Sequence, residues 1–124
     1  MSIPYAGSRL LDEQVTTAFD LAGFCVVANV GVARGIVVRS RGLFAKMLAH
    51  VRSSIGGNIA LYADLCERAR RDAYEGCLDH AKAMGGNAII GLRYDANEIA
   101  PGITEVLCYG SAVIVEPKRS SLNV

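Results

Sequence analysis

From Tyr62 to Gly91 an amphipathic segment runs through Met84-Gly85-Gly86-Asn87 straight into the apolar run Ala88-Ile89-Ile90-Gly91. Tyr62, Cys66, Ala69, Ala73, Cys77, Ala81 and Met84 recur at helical spacing on one stripe, while Asp64, Glu67, Arg68, Arg71, Asp72, Glu75, Asp79 and Lys82 fall mostly off it. The small alanines of the stripe let such a helix lie close against a sheet. A glycine pair ends the periodicity, and a strand follows at once. A helix that hands over directly to a strand restricts the chain to folds combining both elements around one core.

At 124 residues the chain is one domain, long enough to build a core without disulfide or metal staples. Apolar residues make up 52% against 20% charged, more than so small a monomer needs, which points to burial between subunits. The net charge of +1 supplies no field to recruit nucleic acid or an anionic membrane. The start, Met1 to Arg9, lacks the basic and apolar regions of a secretory signal. The longest uncharged run, Leu21 to Ala33, is about 13 residues and too short to span a bilayer as a helix. Together with four cysteines, Cys25, Cys66, Cys77 and Cys108, that form no C-x-x-C pair, this predicts a cytoplasmic protein with free thiols.

Residues 1–20 read as an irregular arm, entering a strand near Thr16. A single domain follows over 21–117, and 118–124 reads as a loose tail. Within the domain, Phe24–Val32 and Ile36–Val38 flank a turn signal at Ala33-Arg34-Gly35 and predict a hairpin. Leu43, Phe44, Met47, Leu48, Val51 and Ile55 predict a first helix, with Ser40 as its N-cap and Gly56-Gly57 as its stop. The Tyr62–Met84 helix is then the second. Strands over Ala88–Asp95 and Thr104–Val115 flank a polar loop containing Pro101-Gly102, and Pro117 ends the last. The order β-β-α-α-β-β predicts an α+β, two-layer domain whose mainly antiparallel sheet is covered on one face by two helices.

The last strand is apolar on both sides. Val106, Cys108, Gly110, Ala112 and Ile114 point one way, and Leu107, Tyr109, Ser111, Val113 and Val115 the other. A half-exposed antiparallel sheet alternates apolar with polar positions instead. Two helices cover one face, so a second copy is expected against the other, or strands extending into a neighbour's sheet. The alternative is that the N-terminal arm folds back as the cover.

These residues resemble the YbjQ-like family, small bacterial proteins of unknown function described as "putative heavy-metal-binding". The resemblance spans roughly Val30 to Val115 and rests on Gly31 and Gly35, Arg52 with Ile55-Gly56-Gly57, and Tyr62. It continues through Ala69-Arg70, Ala73, Gly85, Asn87-Ala88 and Gly91 to Tyr109-Gly110-Ser111-Ala112-Val113, where the family tends to have Ser-Gly-Thr-Ala-Val. The resemblance implies a YbjQ-like, dodecin-like subunit in a ring, as a homopentamer. Two departures bear on any ligand site: Tyr62-Ala63-Asp64 stands where the family has a glutamate after the tyrosine, and Phe44-Ala45-Lys46 stands where it has an Arg-Asp pair.

For a metal centre, two to four thiolate or imidazole ligands must converge. Cys77 and His80, three apart on the predicted helix, are the one local pair; Cys66 lies roughly 16 Å from Cys77 along the axis and cannot share an ion with it inside one subunit. Buried thiols on an apolar stripe otherwise behave as small hydrophobes. A nucleophile–base–acid set is poorly supplied by two histidines, His50 and His80, and the Asp79 beside His80 points about 100° away from it. Arg52 with Ser53-Ser54-Ile55-Gly56-Gly57-Asn58 offers backbone N–H groups and a guanidinium to an anion, against the plainer role of a helix stop and turn. Arg34, Arg39 and Arg41 suit a ring surface, whereas Arg68, Arg70 and Arg71 are compensated by Asp64, Glu67 and Asp72.

The sequence therefore predicts a non-catalytic homo-oligomeric ring that binds a small ligand or ion or acts as a scaffold. Arg52, Gly56, Gly57, Tyr62 and Arg70 are its candidate ligand-binding residues, with no cofactor. The alternative is a soft divalent metal held by cysteine and histidine of adjacent subunits, with Cys77 and His80 as candidates.

Overall fold

The computed structural model describes residues 14–40, 42 and 58–119. Strand β1 (Phe24–Ser40), helix α1 (Asn58–Ala83), strand β2 (Ala88–Ala100) and strand β3 (Ile103–Pro117) follow in order. The strands form a three-stranded antiparallel sheet with β3 in the centre, in the order β1-β3-β2. The fold is α+β, as the sequence predicts, and among the described residues one helix covers the sheet. The predicted first helix, from Leu43 to Ile55, falls outside the described residues.

The predicted hairpin between Phe24 and Val38 is instead one strand of 17 residues. Gly35, read as part of a turn, is a point of closest approach: a Cβ there would stand 2.0 Å from the Ala73 carbonyl oxygen and 2.4 Å from the Cys77 nitrogen. Only a residue without a side chain lets the helix backbone rest on β1 at this place. The alanine stripe serves the same approach from the helix side, with Ala69, Ala73, Cys77 and Ala81 all buried. At the N-terminal end of the stripe the buried position belongs to Leu65 rather than to Cys66 or Tyr62, both of which are exposed. Register shifts between Val26 and Ala28 and between Asn29 and Gly31 let β1 bend along its length.

Helix α1 ends as its glycines predict. Gly85 takes a φ of +97°. Its N–H donates to the Lys82 carbonyl, and the Gly86 N–H donates to the Ala81 carbonyl at 2.9 Å. That pair of bonds is a Schellman motif, which satisfies carbonyls that the helix leaves unpaired. The loop between β2 and β3 is shorter than its polar composition suggests. Asn97 and Glu98 belong to an exposed stretch of β2, and the turn itself is Pro101-Gly102, with Gly102 at a φ of +74° and its N–H held by Glu98 Oε2.

Each face of the sheet carries an apolar cluster. Beneath α1, Ala33, Leu78, Ile89, Leu92, Val106, Cys108 and Ala112 form the main core. On the opposite face Leu21, Ala88, Val113 and Val115 are buried together, with Phe24 and Ile90 packed against them. The turn that opens β1 thus covers one end of the second face. The other end, where Val32, Ile36 and Val38 lie beside Ser111, Leu107 and Glu105, is uncovered by any described residue.

The two sheet edges differ as well. Residues 15–18 run beside β2: Val15 bridges Ile89, Thr16 exchanges bonds with Ile89 and Leu92, and the Gly91 N–H donates to the Ala18 carbonyl at 2.7 Å. Phe19 then lies against Gly91, under the Arg93 guanidinium. The edge of β1 has no such strand beside it among the described residues.

Candidate functional site

Where α1 crosses the sheet, the register sets Gly35, Cys108 and Tyr94 in one row across β1, β3 and β2, on the face turned to the helix. Gly35 brings the backbone of Cys77 down onto that row. The Cys77 thiol consequently lies within hydrogen-bonding reach of the Cys108 sulfur, and the Tyr94 hydroxyl approaches Cys108 from the other side. Both cysteines are fully buried, whereas Tyr94 is 42% exposed at the margin of the helix.

The electrostatics follow from this packing. Cys108 is held below the usual thiol range, first by the Cys77 S–H and then, against the opposing effect of burial, by the Tyr94 hydroxyl. Cys77 is pushed up because it donates to Cys108 and because burial penalises its thiolate. The phenol of Tyr94 is pushed up to about 12, chiefly by burial and then by the neighbouring Cys108. Two donors, the Cys77 S–H and the Tyr94 hydroxyl, are thus directed at the Cys108 sulfur.

The residues anticipated from sequence are placed differently. Arg52, Gly56 and Gly57 lie outside the described residues. Tyr62 and Arg70 are both exposed on α1, roughly 12 Å apart along its axis, and nothing draws them together. Cys77 and His80 are also separated in purpose. His80 Nδ1 accepts the backbone N–H of Arg34 at 3.0 Å, so its proton resides on Nε2 and its Nδ1 lone pair is engaged at β1. Cys77 turns instead to Cys108, a partner 31 positions away that helical spacing cannot reveal. Of the basic residues, Arg39 pairs with Asp72 at 2.8 Å and ties β1 to α1, while Arg68 pairs with Asp64 along the helix surface.

A family model described as "putative heavy-metal-binding" matches residues 14–116, which include β1, α1, β2 and all of β3 but its last residue. The chain belongs to the YbjQ family. Among its relatives are UPF0145 proteins of Burkholderia mallei (strain SAVP1) and Burkholderia pseudomallei (strain K96243). Each is 61% identical over 101 residues, covering 82% of this chain and 91% of the relative. A crystal structure of a DUF74-family protein of unknown function from Pediococcus pentosaceus shares the fold, with a TM-score of 0.53 at 17% identity, covering 82% of this chain and 96% of that one.

The family description invites a test of which metal these residues fit. No group of three or more His, Cys, Asp or Glu side chains converges among the described residues, so a tetrahedral zinc site or an oxygen-ligated calcium site has no donor set there. Two facing thiols are what the described part of the subunit supplies. No helix among the described residues is long and apolar enough to cross a membrane.

Proposed function

We propose that this YbjQ-family protein is a non-catalytic homo-oligomer, a ring of five subunits, that holds a small ligand or ion or serves as an interaction scaffold. The observation that carries the reading is the end of the sheet's second face that no described residue covers. Val32, Ile36 and Val38 are 58%, 52% and 50% exposed on one strand, beside the half-buried Leu107 and Tyr109. Clustered β-branched side chains on an edge strand of 17 residues form a surface that a lone subunit does not profit from leaving in water. A sibling strand or sheet face removes that cost, and closed symmetry limits the assembly. The number five rests on the family resemblance.

Tyr62 and Arg70, both exposed on α1, remain the described candidates for contact with a ligand or a neighbouring subunit. Engagement of His80 Nδ1 by β1 supports a non-catalytic role, since a ring nitrogen committed to a backbone N–H is not available as a general base. Intact-complex mass spectrometry under native conditions tests the assembly. Five subunits are expected for the natural chain and dissociation for Ile36→Lys. A natural chain that stays a single subunit at micromolar concentration removes the proposal.

A further inference from the structure

We propose that Cys77 and Cys108 of one subunit form a two-thiolate site for a soft d10 cation such as Cu(I), with Tyr94 closing it toward solvent. This assigns a location and an ion class, and it stands whether or not the subunits assemble.

Three independent placements converge on the pair. The strand register sets Cys108 between Gly35 and Tyr94. The missing side chain at Gly35 lets α1 descend until the Cys77 nitrogen would touch a Cβ placed on β1. Both sulfurs are fully enclosed in the apolar core, with Ala33, Ala69, Ala73 and Val106 in the same cluster. The enclosed part of this site offers two sulfur donors with the phenol of Tyr94 at its margin, where the Glu67 carboxylate acts on the phenol. Soft cations prefer thiolates and accept low coordination numbers, whereas magnesium and calcium require oxygen ligands and structural zinc requires four donors. A pair of thiolates is therefore sufficient for Cu(I) and insufficient for its hard competitors.

The bonding step balances without electron transfer. The Cys77 S–H, and any proton on Cys108, leaves to solvent; each sulfur then donates one electron pair to the cation. Two thiolates around a monovalent cation carry a buried charge of minus one, and the Tyr94 hydroxyl that faces Cys108 is placed to donate to it. Access runs past Tyr94, because α1 lies chiefly over β1 and β3 and leaves β2 at its edge. The exposed thiols Cys25 and Cys66 would bind the same ions adventitiously, and the test has to remove them.

The measurement uses a full-length C25S/C66S chain, titrated anaerobically with Cu(I) alone against a chromophoric Cu(I) chelator. One ion per subunit is expected, with affinity falling at least about 100-fold on adding C77A or C108A, more than the loss of a supporting group outside the ligand set causes. X-ray absorption of the loaded C25S/C66S chain is expected to show two sulfur neighbours, a readout that holds even if a variant in the core fails to fold. Failure of C25S/C66S to retain the ion, undiminished binding by a folded C77A chain, or a shell of three or more protein donors would each overturn the proposal.

Discussion

The side-chain amide of Asn87 pairs with the backbone of Val115 as a strand residue would: its Oδ1 accepts the Val115 N–H at 2.8 Å and its Nδ2 donates to the Val115 carbonyl at 3.1 Å. Its own backbone N–H reaches the Val113 carbonyl, and its carbonyl accepts Nε2 of the buried Gln14. One residue thus joins the end of α1, the start of β2, the C-terminal end of β3 and the N-terminal arm.

Replacing Asn87 with alanine removes both amide bonds and strands a Val115 N–H, which is expected to cost about 2 to 4 kcal/mol. The check is urea unfolding, with a lower midpoint and an unchanged slope. A loss smaller than about 0.5 kcal/mol would mean that water replaces the amide without penalty.

Gly35 and Gly76 face each other across the helix–sheet contact but should respond oppositely to alanine. At Gly35 the new methyl group meets the Ala73 carbonyl, whereas at Gly76 it stands 3.4 Å from the Gly35 Cα, an ordinary contact. Gly35→Ala is expected to destabilise by about 3 kcal/mol or more. Gly76→Ala is expected to be neutral or to gain up to about 1 kcal/mol from helix propensity. Thermal melts of the two variants rank them directly, and equal melting temperatures would contradict the packing described.

Tyr94 makes stability depend on alkaline pH. Its phenol ionises near 12 in the folded chain against 10.0 ordinarily, so folding favours the neutral form. The contribution is complete below pH 10, where neither state ionises it. It declines as pH rises from about 10 to about 12. Ultraviolet titration of phenolate should show one late ionisation that vanishes in Tyr94→Phe; an unaltered titration curve in that variant would refute the assignment.

His80→Phe leaves the Arg34 N–H without its acceptor on an exposed strand edge. A single hydrogen bond of about 1 kcal/mol corresponds to roughly fivefold faster amide exchange at Arg34. Exchange measured by nuclear magnetic resonance should show that acceleration at Arg34 while β3 amides keep their protection. Unchanged exchange at Arg34 would show that His80 is not its protector.

The sequence by itself determined features that repeat over a few residues. The alanine stripe of α1 predicted which side lies on the sheet, Gly85-Gly86 predicted the helix end, and alternation along β3 predicted that apolar side chains occupy both faces. Each signal is short in range, because helical and strand periods are set by the local backbone. Local composition also misled at two places. Gly35 looks like a turn residue but exists for a backbone contact with Ala73, and Asn97-Glu98 look like loop but extend β2 on its exposed stretch. Only the tertiary structure decided that Cys77 meets Cys108 rather than His80, that His80 serves the Arg34 N–H, and that the arm covers the β2 edge while β1 is left without a partner strand among the described residues. Those pairings join residues tens of positions apart. They depend on strand register and on how deeply the helix settles, and neither quantity is written in any single segment of the chain.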